Sequence, residues 1–174
     1  MKLTIERAAL FRSLGHVQSI VERRNTIPIL SNVLLSTNEG RLGLTATDMD
    51  IAIVESVDAM IETPGSTTAP AHTLYDIVRK LPDGAQIELD TGTGDGQMTL
   101  RAGRSEFTLQ TLPTEDFPQT DGGDLPHRFA LPAAELRGLV DRTRFAISTE
   151  ETRYYLNGIF MHTTSSEGND VMRT

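Results

Sequence analysis

Apolar and polar residues alternate at the start of the chain, with Leu3 and Ile5 on one face, which predicts a short strand over 2–6. The spacing then lengthens. Leu10, Leu14, Val17 and Val21, joined by Phe11, recur at helical intervals and predict an amphipathic helix of about 15 residues within 7–24. Arg12, His16, Ser19 and Arg23 repeat that spacing on another, polar and basic face. Asn25 and Pro28 end the helix, because the residue before a proline is pushed out of helical geometry. Three strands are expected next, at 29–37, 41–47 and about 50–59, the first two joined by a turn at Asn38-Glu39-Gly40.

The same order then returns. A short strand at 67–70 leads into a second amphipathic stripe, Leu74, Ile77, Val78 and Leu81, on a helix over 72–80 that Pro82-Asp83-Gly84 stops. Strands follow at 86–91, 97–101 and 105–112, with turns at residues 91–96 and at Ala102-Gly103-Arg104. Residues 1–112 therefore read β-α-β-β-β twice, an α+β class in which two sheets pack with both helices on one side.

Residues 113–127 are rich in Pro, Gly and Asp and read as a linker. The program then restarts with a strand at 128–131, a helix at 132–145 and a strand at 154–162. Shifting the chain by 126 positions lays Leu3, Ile5, Ala8, Leu10 and Leu14 on Phe129, Leu131, Ala134, Leu136 and Val140, so the repeating object is a domain. The expected division is a first domain over 1–118, a linker over 119–127 and the opening of a second copy over 128–174. That second copy breaks off early in its pattern, which predicts a piece of a longer chain.

Charge changes the picture. The net charge is −8, which taken alone argues against a nucleic-acid partner. The three expected helices, however, hold nine cations and four acids, a balance of +5, and leave seven cations and twenty acids elsewhere, a balance of −13. A basic helical layer on an acidic body is an electrostatic footprint for a polyanion; the plainer reading is that helices tolerate Arg and Lys better than strands do. The chain has no cysteine, which removes disulfides, Cys-ligated zinc and thiol nucleophiles. No apolar run approaches the roughly 20 residues that span a bilayer, and the charged, strand-like N-terminus is no signal peptide, so the expected location is cytoplasmic.

Candidate chemistry is sparse. Asp48 and Asp50 stand two apart and could share a divalent metal, but a turn between strands favours Asp by itself. Gly92, Gly94 and Gly96 have no helix after them and no Lys-Ser/Thr pair, which makes a hairpin turn and not a phosphate loop. His16, His72, His127 and His162 share no spacing with a serine or aspartate triad. No catalytic residue, cofactor or metal site is expected. Arg23-Arg24 suit phosphate contacts, and equally suit the negative end of a helix dipole. Tyr154-Tyr155 read either as one core and one stacking ring, or as two structural residues.

These residues sit inside a wider resemblance. Met1-Lys2-Leu3-Thr4-Ile5-Glu6-Arg7, Arg24 with residues 26–35, and Leu44-Thr45-Ala46-Thr47-Asp48 resemble the bacterial DNA polymerase III beta subunit family, the sliding clamps. So do Gly103-Arg104-Ser105 with Phe107, Thr111-Leu112-Pro113 with Asp116-Phe117-Pro118, and Arg153-Tyr154-Tyr155-Leu156-Asn157-Gly158. The resemblance implies the DNA-clamp fold, with helices lining a ring and antiparallel sheets outside. It also implies a non-enzymatic subunit of the polymerase holoenzyme that joins head to tail as a homodimer, encircles duplex DNA without reading sequence, and tethers partners such as the polymerase III alpha subunit and the clamp loader. By position, Arg24, His72, Tyr154 and Tyr155 fall on DNA contacts of the family. His72 stands where better-known members have another basic residue, and Glu150 where they have an uncharged polar one. Arg104, Phe107 and Leu109 match the dimer edge, where Glu106 replaces a basic residue. Leu156 matches a wall of the pocket for partner peptides.

Overall fold

The computed structural model describes residues 1–174 except 24–25, 93–95, 120–128, 167–168 and 174, and the side chains of 151, 154, 163–166 and 169–173 also lie outside the described residues. Two compact units result, Met1–Asp121 and Gly122–Thr174. In the first, β1 (Lys2–Glu6) runs into α1 (Arg7–Val17), and a 3-10 turn at Pro28–Ser31 leads to β2 (Asn32–Asn38), β3 (Arg41–Thr47), β4 (Ala52–Asp58) and β5 (Met60–Thr63). The second half comprises β6 (Ser66–Pro70), α2 (Ala71–Lys80), β7 (Gln86–Asp90), β8 (Gln97–Ala102) and β9 (Ser105–Gln110).

The halves exchange their opening strands. One sheet has the order β5-β1-β7-β8-β9 and the other β4-β3-β2-β6, so each meander takes its neighbour from the other half. Neither half can close its sheet alone. Leu3, Ile5, Ile87, Leu89, Met98 and Leu100 from one sheet share a single buried core with Val33, Leu35, Leu42 and Leu44 from the other. Leu10, Leu14 and Val17 of α1 and Leu74 and Val78 of α2 cover it. The β2–β3 hairpin turns through Glu39 and Gly40 at φ 46° and 79°, the pair of positive angles that suits a tight two-residue hairpin.

Three expected boundaries move. The strand expected at 29–37 begins with the Pro28–Ser31 turn and becomes extended only at Asn32. The strand expected at 50–59 is two: β4 pairs with β3, and β5 continues onto β1 in the other sheet. The helix expected within 7–24 stops at Val17, because the Ser19 amide and hydroxyl both bond the His16 carbonyl, at 3.2 and 2.6 Å. Val21 is still buried, but from a turn. Arg23 thus lies on the connection after α1 and not on the helix.

A polar knot ties the sheets at one end. Thr68 Oγ1 on β6 accepts from Asn32 Nδ2 at 3.0 Å and from the Leu112 amide at 2.9 Å, and donates to the Leu112 carbonyl at 2.8 Å. Thr68 is fully buried, and every partner in the knot is satisfied.

The second unit contains α3 (Ala133–Thr143), 3-10 turns at Arg144–Ala146 and Glu151–Leu156, and a hairpin of β10 (His162–Ser166) with β11 (Asn169–Arg173). The bounds of α1 moved on by 126 are 133 and 143, the bounds of α3, so the helix repeats residue for residue. The first unit's Pro28–Ser31 turn likewise falls within 154–157, overlapping the turn at Glu151–Leu156. This corrects the strand expected at 154–162, for the same reason that its counterpart at 29–31 is not extended. Residues 129–131 form no strand either.

Candidate nucleic-acid interface

The side-by-side helices are fixed from both ends. Glu6, the last residue of β1, caps α1 by accepting the Ala9 amide at 2.9 Å. Bonds from the Ala8 and then the Ala9 amide hold its carboxyl below its ordinary value of 4.5. Phe11 of α1 stacks on Tyr75 of α2 with ring centroids 5.2 Å apart.

Arg7 belongs to this scaffold and not to a free basic surface. Its Nε donates to the Val78 carbonyl at 3.1 Å and its Nη2 to the Arg79 carbonyl at 2.8 Å, closing the C-terminus of α2. Its Nη1 pairs with Asp83 at 3.0 Å, and the guanidinium lies over the Phe11 ring. Arg79 pairs with Asp76, and His16 meets Glu55 Oε1 at 2.8 Å. Arg12, Arg23 and Lys80 are exposed and form no ion pair among the described residues.

The outward face of the five-stranded sheet has the opposite balance. Lys2 pairs with Glu62 at 2.7 Å, and Arg101 lies between Glu106 at 2.7 Å and Glu88 at 3.2 Å. The Glu106 hydrogen bond, then that of Glu88, holds the Arg101 guanidinium above its ordinary value. Asp90 adds a further acid to that face. Both Lys2 and Arg101 are matched within the sheet, and Asp90 remains over.

The remaining positions named by sequence distribute as follows. Arg24 lies outside the described residues, as does the side chain of Tyr154. His72, in the first turn of α2, donates from Nε2 to the Val21 carbonyl at 2.7 Å. Tyr155 is 70% exposed, on the Glu151–Leu156 turn. Leu156 lines a cleft of about 640 Å³ with Thr143, Ala146, Ile147, Ser148 and Phe160. Arg104 sits in the exposed β8–β9 turn, and β9 is an edge strand. Phe107 is 36% exposed, whereas Leu109, at 5%, belongs to the core, so at Leu109 the edge presents backbone and not side chain. Sequence reasoning placed Ile77 in the apolar stripe and Lys80 among the helix cations but did not join them, with Thr73, to the cleft of about 420 Å³ that they line with Phe107; their spacing on α2 is the signal that could have done so.

The alternative site at Asp48 and Asp50 is a turn. Asp48 Oδ1 accepts the Asp50 and Ile51 amides at 3.0 and 2.7 Å. No group of three or more metal-ligating side chains exists among the described residues. No described helix is long and apolar enough to cross a membrane.

Two meanders with exchanged opening strands under one layer of paired helices define an α+β clamp-type domain. The chain belongs to the DNA polymerase III beta subunit family: the pattern described as "DNA polymerase III beta subunit, N-terminal domain" matches residues 1–121. It is 57% identical over 173 residues to the beta sliding clamp of Caulobacter vibrioides, covering 99% of this chain and 46% of that protein. It is 41% identical to the beta sliding clamp of Escherichia coli K12, covering 96% of this chain and 45% of that one. A solved structure of Caulobacter crescentus pol III beta superposes with a TM-score of 0.91 at 57% identity, over 99% of this chain and 46% of the other. The chain thus spans about half the length of the relatives it matches.

Proposed function

We propose that this chain acts as a sliding-clamp subunit, a non-enzymatic ring component that surrounds duplex DNA and tethers a polymerase in the cytoplasm. One observation carries the reading. Among the described residues of the first unit, Arg12, Arg23 and Lys80 are unmatched cations on the paired helices and their connection, while Lys2 and Arg101 on the outer sheet face are matched by acids and Arg104 stands apart in the β8–β9 turn. A ring that slides needs diffuse, salt-sensitive attraction toward phosphates on its inner wall and none outside. By position in the family, Arg24, Tyr154 and Tyr155 are further residues for DNA contact. The β9 edge, with Arg104 and Phe107, supplies one side of a head-to-tail contact between copies, through Leu109 backbone as well. The cleft beside Leu156 is the start of a docking site for short peptides of the polymerase III alpha subunit and clamp loader.

The test uses the complete product of the coding sequence, loaded onto nicked circular DNA. Retention on the circle with loss after linearisation is the expected result. Equal behaviour on both forms would remove the encircling reading, and metal-dependent cleavage of the DNA would replace it with an enzyme.

A further inference from the structure

The connection from residue 18 to residue 27 carries Glu22, Arg23 and Arg24 between α1 and β2. Its residues 18–23 belong to no helix or strand. Its first half is held by three features: the Ser19 bonds to the His16 carbonyl, the burial of Val21, and the bond from His72 Nε2 to the Val21 carbonyl at 2.7 Å. The last joins residues 18–23 to α2 through a side-chain hydrogen bond, and it does so one residue before Glu22 and two before exposed Arg23. A ring nitrogen that donates to a buried backbone carbonyl must carry its hydrogen and keep its orientation. That nitrogen is therefore not offered to a phosphate.

We propose that His72 is a positioning residue for the arginine-bearing connection: by tying the Val21 carbonyl to the first turn of α2, it sets where Arg23 leaves the core, and it does not itself contact DNA. This rests on the proposed phosphate role of that connection, and it assigns His72 a different task from the direct contact that its position implies. The chemistry recognised is a duplex phosphate backbone; His72 acts one step behind it. A freed 18–23 segment would still carry the same charge, but spread over more conformations, so affinity falls through lost preorganisation.

The experiment measures affinity for a short fluorescent duplex at low salt, with the complete coding product, for His72→Ala, His72→Gln, the double variant Arg23→Ala/Arg24→Ala, and the combination of His72→Ala with that double variant. Loss of one neutral hydrogen bond predicts about a fivefold weaker binding for His72→Ala. Gln places a donor nitrogen at the reach of Nε2, so His72→Gln is expected to restore the affinity. In the double-arginine background His72→Ala is expected to cost nothing further, since it acts through those residues. Backbone amide exchange at Ser19–Arg23 should quicken in His72→Ala and return in His72→Gln, with the β7–β8 amides unchanged as a control on folding.

An additive loss, unrescued by Gln, would make His72 a direct phosphate contact and overturn the proposal. Unchanged affinity or unchanged exchange in His72→Ala would overturn it as well. If the arginine variant itself binds as well as the parent, the phosphate reading of the connection falls, and the positioning role falls with it. Failure of the proposal alone is recognised by arginines that matter and a His72 that does not act through them.

Discussion

Phe11 and Tyr75 stack across the two helices of the first unit, with ring centroids 5.2 Å apart and planes inclined at 21°. With the Arg7 bonds to the Val78 and Arg79 carbonyls, this contact joins two helices from different halves into one layer. Arg7 over Phe11 and Arg79 over Tyr75 extend the stack into four groups, two rings between two cations. Both rings are half-buried, so Tyr75→Ala should lower stability by about 2–3 kcal/mol, less than a fully buried aromatic. Tyr75→Phe should cost little, because stacking and not the hydroxyl holds the pair. Urea unfolding followed by circular dichroism checks both, and an unstable Phe variant would transfer the role to the hydroxyl.

Arg7 and Arg12 lie five residues apart in sequence on α1 and should respond oppositely. Arg7 makes charged hydrogen bonds to Val78, Arg79 and Asp83, so Arg7→Ala should cost about 2–3 kcal/mol of stability. Its effect on the salt dependence of DNA binding should be nil. Arg12 is exposed and unpaired among the described residues, so Arg12→Ala should leave the melting temperature within about 1 °C. If it faces phosphate, the slope of log affinity against log salt should fall by about 1. Reversed outcomes would show that the helix face was assigned wrongly.

The half-units were legible because their signals are local. Leu10, Leu14 and Val17 sit a helical turn apart, and Asn38-Glu39-Gly40 announces its own turn. What escaped depends on partners far along the chain. The alternation through Asp58 and Ile61 runs on without a break, so nothing in it marks where β4 leaves one sheet and β5 joins β1 in the other. Val21 continues the helical period yet is buried from a turn, since burial selects the side chain and Ser19 ends the backbone ladder. The repeat of 126 residues predicts the third helix at 132–145, within two residues of α3 at either end, but it also lays the extended pattern of 29–31 on 155–157, where the backbone is a 3-10 turn in the first copy and still turns in the second. Among site residues, the pattern gave charge and not pairing. It could not tell Arg7, bound to backbone carbonyls, from Arg12, which is not, and it could not place His72 against Val21.

Thr68 should be more sensitive than its size suggests. Thr68→Val keeps the shape but leaves the buried Asn32 amide and both part-buried Leu112 backbone groups without their partner. The expected cost is about 2–3 kcal/mol, with Thr68→Ser recovering most of it. Because Leu112 stands just after β9, the Val variant should also expose the 111–118 segment to limited proteolysis. Full resistance with full stability would mean that the three bonds are not jointly required.

Acid should act on α1 through Glu6. Its carboxyl is held below its ordinary value of 4.5 by the Ala8 and Ala9 amides. A carboxyl whose value is lowered on folding stabilises the fold above its unfolded value, and that contribution is lost as pH falls through the folded value. Glu6→Gln keeps an acceptor for the Ala9 amide but removes the charge that favours the helix N-terminus. The variant should therefore melt below the parent at pH 7, and the gap should hold down to about pH 5 and close as the pH drops below about 4. Melting curves across that range measure it. A gap that stays constant into acid would show that the neutral cap, and not the carboxylate charge, sets the start of the helix on which Phe11 and Arg12 are carried.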